Sequence, residues 1–170
     1  SSAASDVYKR QDMHGARAPE EKVSGRARTV DEEISLREYE AHIQGTTGIG
    51  VIPLLEDNTI HFAALDVDVY KAEDQKAKNL THADVALALK DTPLIVSKSK
   101  SGGIHVWLFS EKGVPAQLAV DYLNATAAFL GVGGCEVFPK QVERHSESDV
   151  GNWINLPYFG DTRWAVIPNK

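Results

Sequence analysis

The hydrophobic pattern predicts strands through the middle of the chain. Apolar, β-rich runs at 49–55 and 59–69 are separated by the turn-like segment 56–58, and this arrangement predicts a hairpin. Further strands are predicted at 94–97, 104–109 and 135–138. The strands at 94–97 and 104–109 stand on either side of a turn rich in lysine, serine and glycine, which we call the 98–103 turn.

A short helix is predicted ahead of these strands. Ser35 and Glu38 have the spacing of a capping box, and the helix that they open is expected to end before Gly45. Its apolar face, which we expect to pack on a sheet, consists of Leu36, Tyr39 and Ile43.

Two more helices are predicted after the hairpin. One lies within 71–91, where Thr81 and Asp84 resemble a capping pair. The other opens at Pro115, closes at Gly131 and carries the residues Leu118, Tyr122, Ala125 and Phe129.

The order of these elements predicts the fold class. Hairpins and helices are mixed without strict strand-helix alternation, which indicates an α+β fold of mixed sheets and helices. Residues 1–30 show neither helical nor strand periodicity and are predicted to form an irregular N-terminal arm, which leaves 31–170 as the core. The chain stops soon after 164–168 without a clear final element, as a fragment of a longer protein would.

Composition narrows the class of protein. A length of 170 residues fits one domain, and 42% apolar residues are enough for a buried core. The chain has no apolar run of roughly 18 residues and no apolar centre near its start, so we expect a cytoplasmic protein. The single cysteine, Cys135, excludes an internal disulfide and a cysteine-based zinc cluster, although six histidines leave a His/carboxylate site possible. Function must therefore be sought in carboxylates and histidines.

The net charge of −6 argues against a protein that coats nucleic acid non-specifically, because phosphate contacts need clustered Lys and Arg. It does not exclude an enzyme. Carboxylates that recruit divalent cations place positive charge where phosphates bind, so an acidic protein can still act on nucleotides.

The strand at 59–69 carries two aspartates near its end. Strand alternation places Asp66 and Asp68 on one face, together with Ile60, Phe62 and Ala64. Adjacent carboxylates repel unless a cation lies between them, and oxygen ligands suit Mg²⁺ or Mn²⁺ rather than zinc. The alternative is an exposed acidic strand end with no ligand.

The 98–103 turn and the following strand offer groups that suit a triphosphate. Glycines let backbone N–H groups approach an anion, Lys98 and Lys100 supply charge, and His105 can donate to a phosphate oxygen. Because the turn joins two strands, it is not a Walker loop. The alternative is an exposed hairpin turn with solvated lysines.

Two later segments complete the candidate chemistry. Glu136 stands in an apolar strand, where a charged side chain is costly unless it is paired or bound to metal, and the alternative is a strand-edge glutamate that faces water. In the segment 151–159, Asn152 and Asn155 can hydrogen-bond a sugar or base. Trp153, Tyr158 or Phe159 can stack on one, although aromatics beside Leu and Ile are more often core.

Taken in chain order, the segments 64–70, 97–105, 136–141 and 151–158 resemble the motifs of the archaeo-eukaryotic primase superfamily, in particular the primase-polymerases of prokaryotic mobile elements and phages. The resemblance implies two packed α/β units, the second like an RNA-recognition motif, with the active site in the cleft between them. It implies that the catalytic metals, Mg²⁺ or Mn²⁺, are held by Asp66, Asp68 and Glu136. It implies nucleotide binding by Lys98, Lys100, Ser101, Gly102, Gly103, His105, Lys140 and Asn155.

The implied activity is that of a template-directed DNA primase or polymerase. Such an enzyme adds nucleotides from NTP or dNTP to a 3′-hydroxyl on a DNA template and primer, with a helicase or accessory domain outside this chain as a further partner. A metal-dependent nuclease and an inactive primase-like nucleic-acid-binding module are the alternatives. One departure concerns Gly103, because many members carry Ser two residues before the motif histidine.

Overall fold

The described strands form two antiparallel sheets in a computed structural model that describes residues 8–12, 27–30, 33–68, 79–146 and 151–168. The strands are β1 Tyr8–Asp12, β2 Ala27–Val30, β3 Thr47–Val51, β4 Thr59–Val67, β5 Ile95–Lys98, β6 Ile104–Pro115, β7 Glu136–Phe138, β8 Ile154–Asn155 and β9 Ala165–Val166. The helices are α1 Leu36–Ile43, α2 His82–Ala88 and α3 Ala116–Leu130.

The first sheet has the order β2-β1-β3-β8, and the second has the order β7-β4-β6-β5-β9. Helix α1 packs on β3 of the first sheet, while α3 packs on β4 and β6 of the second sheet and α2 on β5. The predicted mixed α+β class is therefore confirmed.

The prediction of an irregular arm over residues 1–30 is wrong for two segments. Strand β1 pairs with β3 and β2 pairs with β1, so both extend the first sheet. The sequence of β1, with three charged residues among its five, has no apolar alternation to mark it as a strand. Its strand geometry follows from backbone pairing with β3, which a side-chain pattern does not report.

The predicted hairpin between 49–55 and 59–69 is also wrong. Strands β3 and β4 belong to different sheets, since β3 pairs with β1 and β8 whereas β4 pairs with β6 and β7. Strand β3 ends at Val51, two residues before Pro53, which has no N–H to donate to a ladder. Positions 69 and 70 and the first part of the predicted second helix, 71–78, lie outside the described residues.

The helix caps follow the prediction. Ser35 with Glu38 and Thr81 with Asp84 each form a complete capping box at the starts of α1 and α2. Gly131 closes α3 in the left-handed conformation, at φ 76°.

The predicted inward face of α1 is wrong, and three of the residues noted in α3 are also exposed. In α3, Leu118, Tyr122 and Phe129 are exposed, and the face on the sheet is formed by Ala116, Ala119, Leu123, Thr126 and Ala127. In α1, Leu36, Tyr39 and Ile43 are exposed, and the buried residue is His42. The apolar periodicity of α3 fits either face, and the alanine-rich face lets its backbone approach the sheet closely.

The main core lies between the second sheet and its helices, and includes Leu65, Val106 and Leu123. A smaller cluster of Ala64, Trp107, Phe138 and Ile154 lies on the opposite face of that sheet and joins it to β8 of the first sheet.

A bulge in β4 changes one predicted side-chain direction. The register with β6 shifts between Ile60 and Phe62, so Ile60 joins the helix-facing core while Phe62 packs with Trp107 on the other face. Ile60 therefore does not share a face with Asp66, contrary to the prediction from simple alternation. Among the described residues, no helix is long and apolar enough to cross a membrane.

Candidate active site

A row of polar residues crosses the second sheet on the face away from its helices. Asp66 of β4 is the direct cross-strand partner of both Glu136 in β7 and His105 in β6. His105 is in turn the partner of Ser97 in β5. Residues opposite each other on neighbouring strands have Cβ atoms about 5 Å apart and point to the same face. Antiparallel pairing thus brings together segments that are distant in sequence.

Asp66 is the centre of this row. Its Oδ1 lies 3.5 Å from Nε2 of His105. The same Oδ1 is buried and has no hydrogen-bond partner among the described residues. A buried carboxylate oxygen without a donor is costly, and a cation is one means of satisfying it.

Asp68 follows β4 and lies close to the same point. Burial raises the pKa of the Cys135 thiol, and the charges of Asp66 and Asp68 raise it further. Because such an effect weakens with distance, both carboxylates lie near this one sulfur. The structure therefore places the two aspartates together, on either side of Val67.

Glu136 is in register with Asp66, but its environment differs from the one inferred from the sequence. Its side chain is 57% exposed and its Oε1 lies 3.0 Å from Nζ of Lys140. The inference that burial requires a partner for Glu136 is therefore wrong, because alternation in the short strand β7 turns Val137 into the core and leaves Glu136 outside. Its candidacy as a ligand rests on its position opposite Asp66.

These oxygen donors suit a hard cation such as Mg²⁺ or Mn²⁺ in kind. The buried, unpartnered Oδ1 of Asp66 is the specific observation in favour of such an ion. No group of three or more His, Cys, Asp or Glu side chains in the described part of the chain forms a cluster that could hold a metal as it stands.

The 98–103 turn lies next to this row and is held from two sides. The carbonyl of Gly103 accepts from the Ser99 N–H at 2.8 Å and faces Nε2 of His82, at the start of α2, at 2.9 Å. The Gly102 N–H donates to the carbonyl of Ser99. The two backbone bonds close the turn itself, and the His82 contact ties it to α2.

Gly103 occupies a position with no room for a side chain. A Cβ built there would lie 2.8 Å from the carbonyl oxygen of Val67, 3.1 Å from Oγ of Ser99 and 3.6 Å from Oδ1 of Asp68. A contact of 2.8 Å requires a backbone shift. The absence of the serine hydroxyl expected from the resemblance therefore has a steric reason in this chain.

Within and beside the turn, serines rather than lysines point inward. Ser97 and Ser99 are 1% and 6% exposed, whereas Lys98 and Lys100 are exposed. The Trp107 indole N–H donates to Oγ of Ser97 at 2.9 Å, and this bond links β6 to β5 next to His105. Alternation along the strand allowed either set to point inward, and burial of the small hydroxyls costs less than burial of the ammonium groups.

A family model described as "TOTE conflict system, Archaeo-Eukaryotic Primase domain" matches residues 6–165. The chain belongs to the archaeo-eukaryotic primase family. No curated protein matches the chain. The membership confirms the predicted resemblance and covers both sheets, including the two strands at the N-terminal end.

The other predicted nucleotide-binding residues of this primase-family chain lie in three different places. Ser101 and Gly102 are exposed at the tip of the 98–103 turn. Lys140 lies beside Glu136, with Nζ 5.2 Å from the Phe138 ring centroid. Asn155 lies in β8 of the first sheet, where Ile154 faces the second sheet and alternation turns Asn155 to the other side. The structure thus does not bring Asn155 into the row.

Several residues of the site were not found from the sequence. Ser97 and Trp107 form the hydrogen bond that links β5 to β6. The alternation of Ser and Lys in 97–101 was the sequence signal for the buried serine. His82 and Arg163 had no signal. His82 depends on the placement of α2, and Arg163 is a buried arginine in a stretch with no recognisable pattern.

Proposed function

We propose that this primase-family chain is a template-directed nucleotidyltransferase, which adds nucleotides from NTP or dNTP to the 3′-hydroxyl of a primer strand. The observation that carries the proposal is the row formed by Glu136, Asp66 and His105, in which the buried Oδ1 of Asp66 has no hydrogen-bond partner among the described residues. Family membership supports the same class of reaction.

Asp66 and Asp68, with Glu136, would hold two divalent cations, Mg²⁺ or Mn²⁺, through carboxylate oxygens. Bound there, the cations would lower the pKa of the 3′-hydroxyl and neutralise charge on the α-phosphate as pyrophosphate leaves. The protein itself would have to orient the triphosphate for reaction with the 3′-hydroxyl.

His105 lies between the acids and the 98–103 turn, so its ring can donate to a phosphate oxygen of a triphosphate bound along the turn. The packing around His105 fixes its position. It is 4% exposed, and the edge of its ring contacts Trp107 at a centroid distance of 5.5 Å. Lys100, which is exposed in the 98–103 turn, supplies positive charge to the same ligand, whereas Lys98 is paired with the core residue Ile104 and therefore points to the other face of the sheet.

The test is a gel assay with a DNA template, with and without primer, with NTP or dNTP, and with Mg²⁺ or Mn²⁺. Asp66→Asn and Asp68→Asn are each expected to lower incorporation by at least roughly a thousandfold, because each removes a charged ligand at the reacting centre. Asp91→Asn is the matched control, since Asp91 is 83% exposed and pairs only with the neighbouring Lys90 in the described structure.

Each outcome separates the proposal from its alternatives. Full incorporation by either aspartate variant would disprove the metal assignment. Shortening of the labelled strand without nucleotide consumption would identify a nuclease. Strand binding without incorporation under all conditions would identify an inactive binding module.

A further inference from the structure

Arg163 is a buried arginine with few partners. It is 3% exposed, its Nη1 donates to the carbonyl of Leu156 at 3.2 Å, and its guanidinium carbon lies 4.6 Å from the Phe159 ring centroid. Its Nε is buried and has no hydrogen-bond partner among the described residues. A guanidinium has five N–H donors, so most of the donor capacity of Arg163 is unused in the described structure.

Among the described residues, the positive charge of Arg163 has no counter-charge. No carboxylate in the described part of the chain forms an ion pair with it, and burial lowers its pKa to about 10. A buried charge without a counter-charge is strongly unfavourable. An anionic ligand would supply the counter-charge that the described residues do not provide.

The backbone around Arg163 is held in an unusual conformation. Arg163 and Tyr158 have φ values of 59° and 60°, which non-glycine residues rarely adopt. The Tyr158 N–H donates to the carbonyl of Arg163 at 3.1 Å and closes the loop between them. Strain of this kind costs on the order of 1 kcal/mol or more per residue and is concentrated at functional sites. The closed loop fixes where the guanidinium lies.

This loop is joined to the 98–103 turn. The carbonyl of Trp164, the residue after Arg163, accepts from the Lys98 N–H at 3.1 Å, and Ala165 pairs with Ser97. Burial lowers the pKa of Lys100, and the charge of Arg163 lowers it further, so the two cationic side chains lie close together. Two strand spacings, about 10 Å, separate β9 from the strand that carries His105.

We propose that Arg163, together with Lys100, forms a phosphate-binding site beside the 98–103 turn. The proposal rests on the proposed function, because it supposes that the chain binds nucleotides or nucleic acid. A guanidinium with free N–H groups binds phosphate oxygens in pairs, and a low-dielectric setting strengthens that contact. The phosphate belongs either to the triphosphate of the nucleotide or to the backbone of a DNA strand.

The experiment is calorimetric titration of the whole chain, without turnover, with two probes: inorganic tripolyphosphate and a single-stranded oligonucleotide. Arg163→Met is expected to weaken binding of at least one probe about tenfold or more, as the loss of a charged hydrogen bond does. Arg37→Met is the matched control, because Arg37 is exposed on α1. A tenfold loss for tripolyphosphate assigns the site to the nucleotide, and the same loss for the oligonucleotide assigns it to the strand.

Unchanged affinity for both probes in Arg163→Met would overturn the proposal. Thermal unfolding of the free protein adds a second criterion, because removal of an uncompensated buried charge should leave the unfolding temperature unchanged or higher. A lowered unfolding temperature with unchanged binding would show a purely structural role. If Arg163→Met does not fold, Lys100→Met carries the same titration, since Lys100 is exposed. Binding is read without incorporation, so a failure of the proposed catalytic reaction would not be mistaken for a failure of this site.

Discussion

Substitution of Gly103 by alanine tests how tightly the 98–103 turn is packed against the candidate metal ligands. The added Cβ would lie 2.8 Å from the carbonyl oxygen of Val67 and 3.1 Å from Oγ of Ser99. The turn cannot simply move outward to relieve this contact. The Gly103 carbonyl faces Nε2 of His82 at 2.9 Å, so an outward shift of the turn would lengthen that contact with α2.

The expected loss of stability in Gly103→Ala follows from the kind of contact that the added Cβ makes. Overpacking against backbone in a well-packed region typically costs about 1–3 kcal/mol. For a domain of this size each kcal/mol lowers the unfolding temperature by about 2–4 °C, so we expect a decrease of about 2–12 °C. Because the carbonyl that must shift belongs to Val67, which lies between Asp66 and Asp68, we also expect incorporation to fall.

The assay compares thermal unfolding of Gly103→Ala with that of Gly133→Ala. Gly133 is the matched control, because its added Cβ would meet no heavy atom within 4 Å and its φ is not in the left-handed region. We expect Gly133→Ala to leave the unfolding temperature unchanged or slightly raised, since alanine also restricts the unfolded chain. Equal unfolding temperatures for the two variants would refute the steric account of Gly103.

Two further predictions concern acids and a buried histidine. Glu136→Gln should lose incorporation and divalent-ion affinity, whereas Glu143→Gln should behave like wild type in the same titrations; equal behaviour would remove Glu136 from the site. His42 accepts from the Ile49 N–H at Nδ1 and donates from Nε2 to the Pro157 carbonyl, and burial lowers its pKa from 6.5. The unfolded state therefore binds the proton more readily, so stability is full above pH 6.5 and is lost as pH falls below it. Urea unfolding should show wild type losing stability relative to His42→Gln between pH 7 and pH 5, and a constant difference would contradict this.

The parts of the fold that were predicted correctly from the sequence obey local rules. Capping boxes, the glycine that closes α3 and the strands beside the 98–103 turn depend on residues that are near each other in the chain. The pairing of strands depends instead on residues that are far apart in the chain. The sequence of β3 is compatible with a hairpin to β4, but β3 pairs instead with β1 and with the distant strand β8, and its local pattern does not report these partners.

Local sequence patterns also could not predict which helix faces are buried or that Arg163 is buried, for a related reason. In α3 apolar residues occur on both sides, so periodicity alone does not select the side that packs on the sheet. Arg163 is contrary to the usual exposure of arginine, and its position depends on a loop that is closed by long-range contacts. Asp66 in β4 and Asp68 just after it were predicted as a pair, because alternation and sequence proximity suffice for that inference.

Charge changes sign across the face of the second sheet that carries the row. Glu136 and Asp66 lie on β7 and β4, and Lys140 offsets part of the charge of Glu136. On the far side, Lys100 follows β5 and Arg163 precedes β9, while His105 of β6 lies between the two sides. A triphosphate placed along this gradient would have its terminal phosphates at the cationic side and its α-phosphate nearest to the carboxylates that are proposed to hold the cations. Local polarity of this kind would let a chain with a net charge of −6 bind the triphosphate that the proposed function requires.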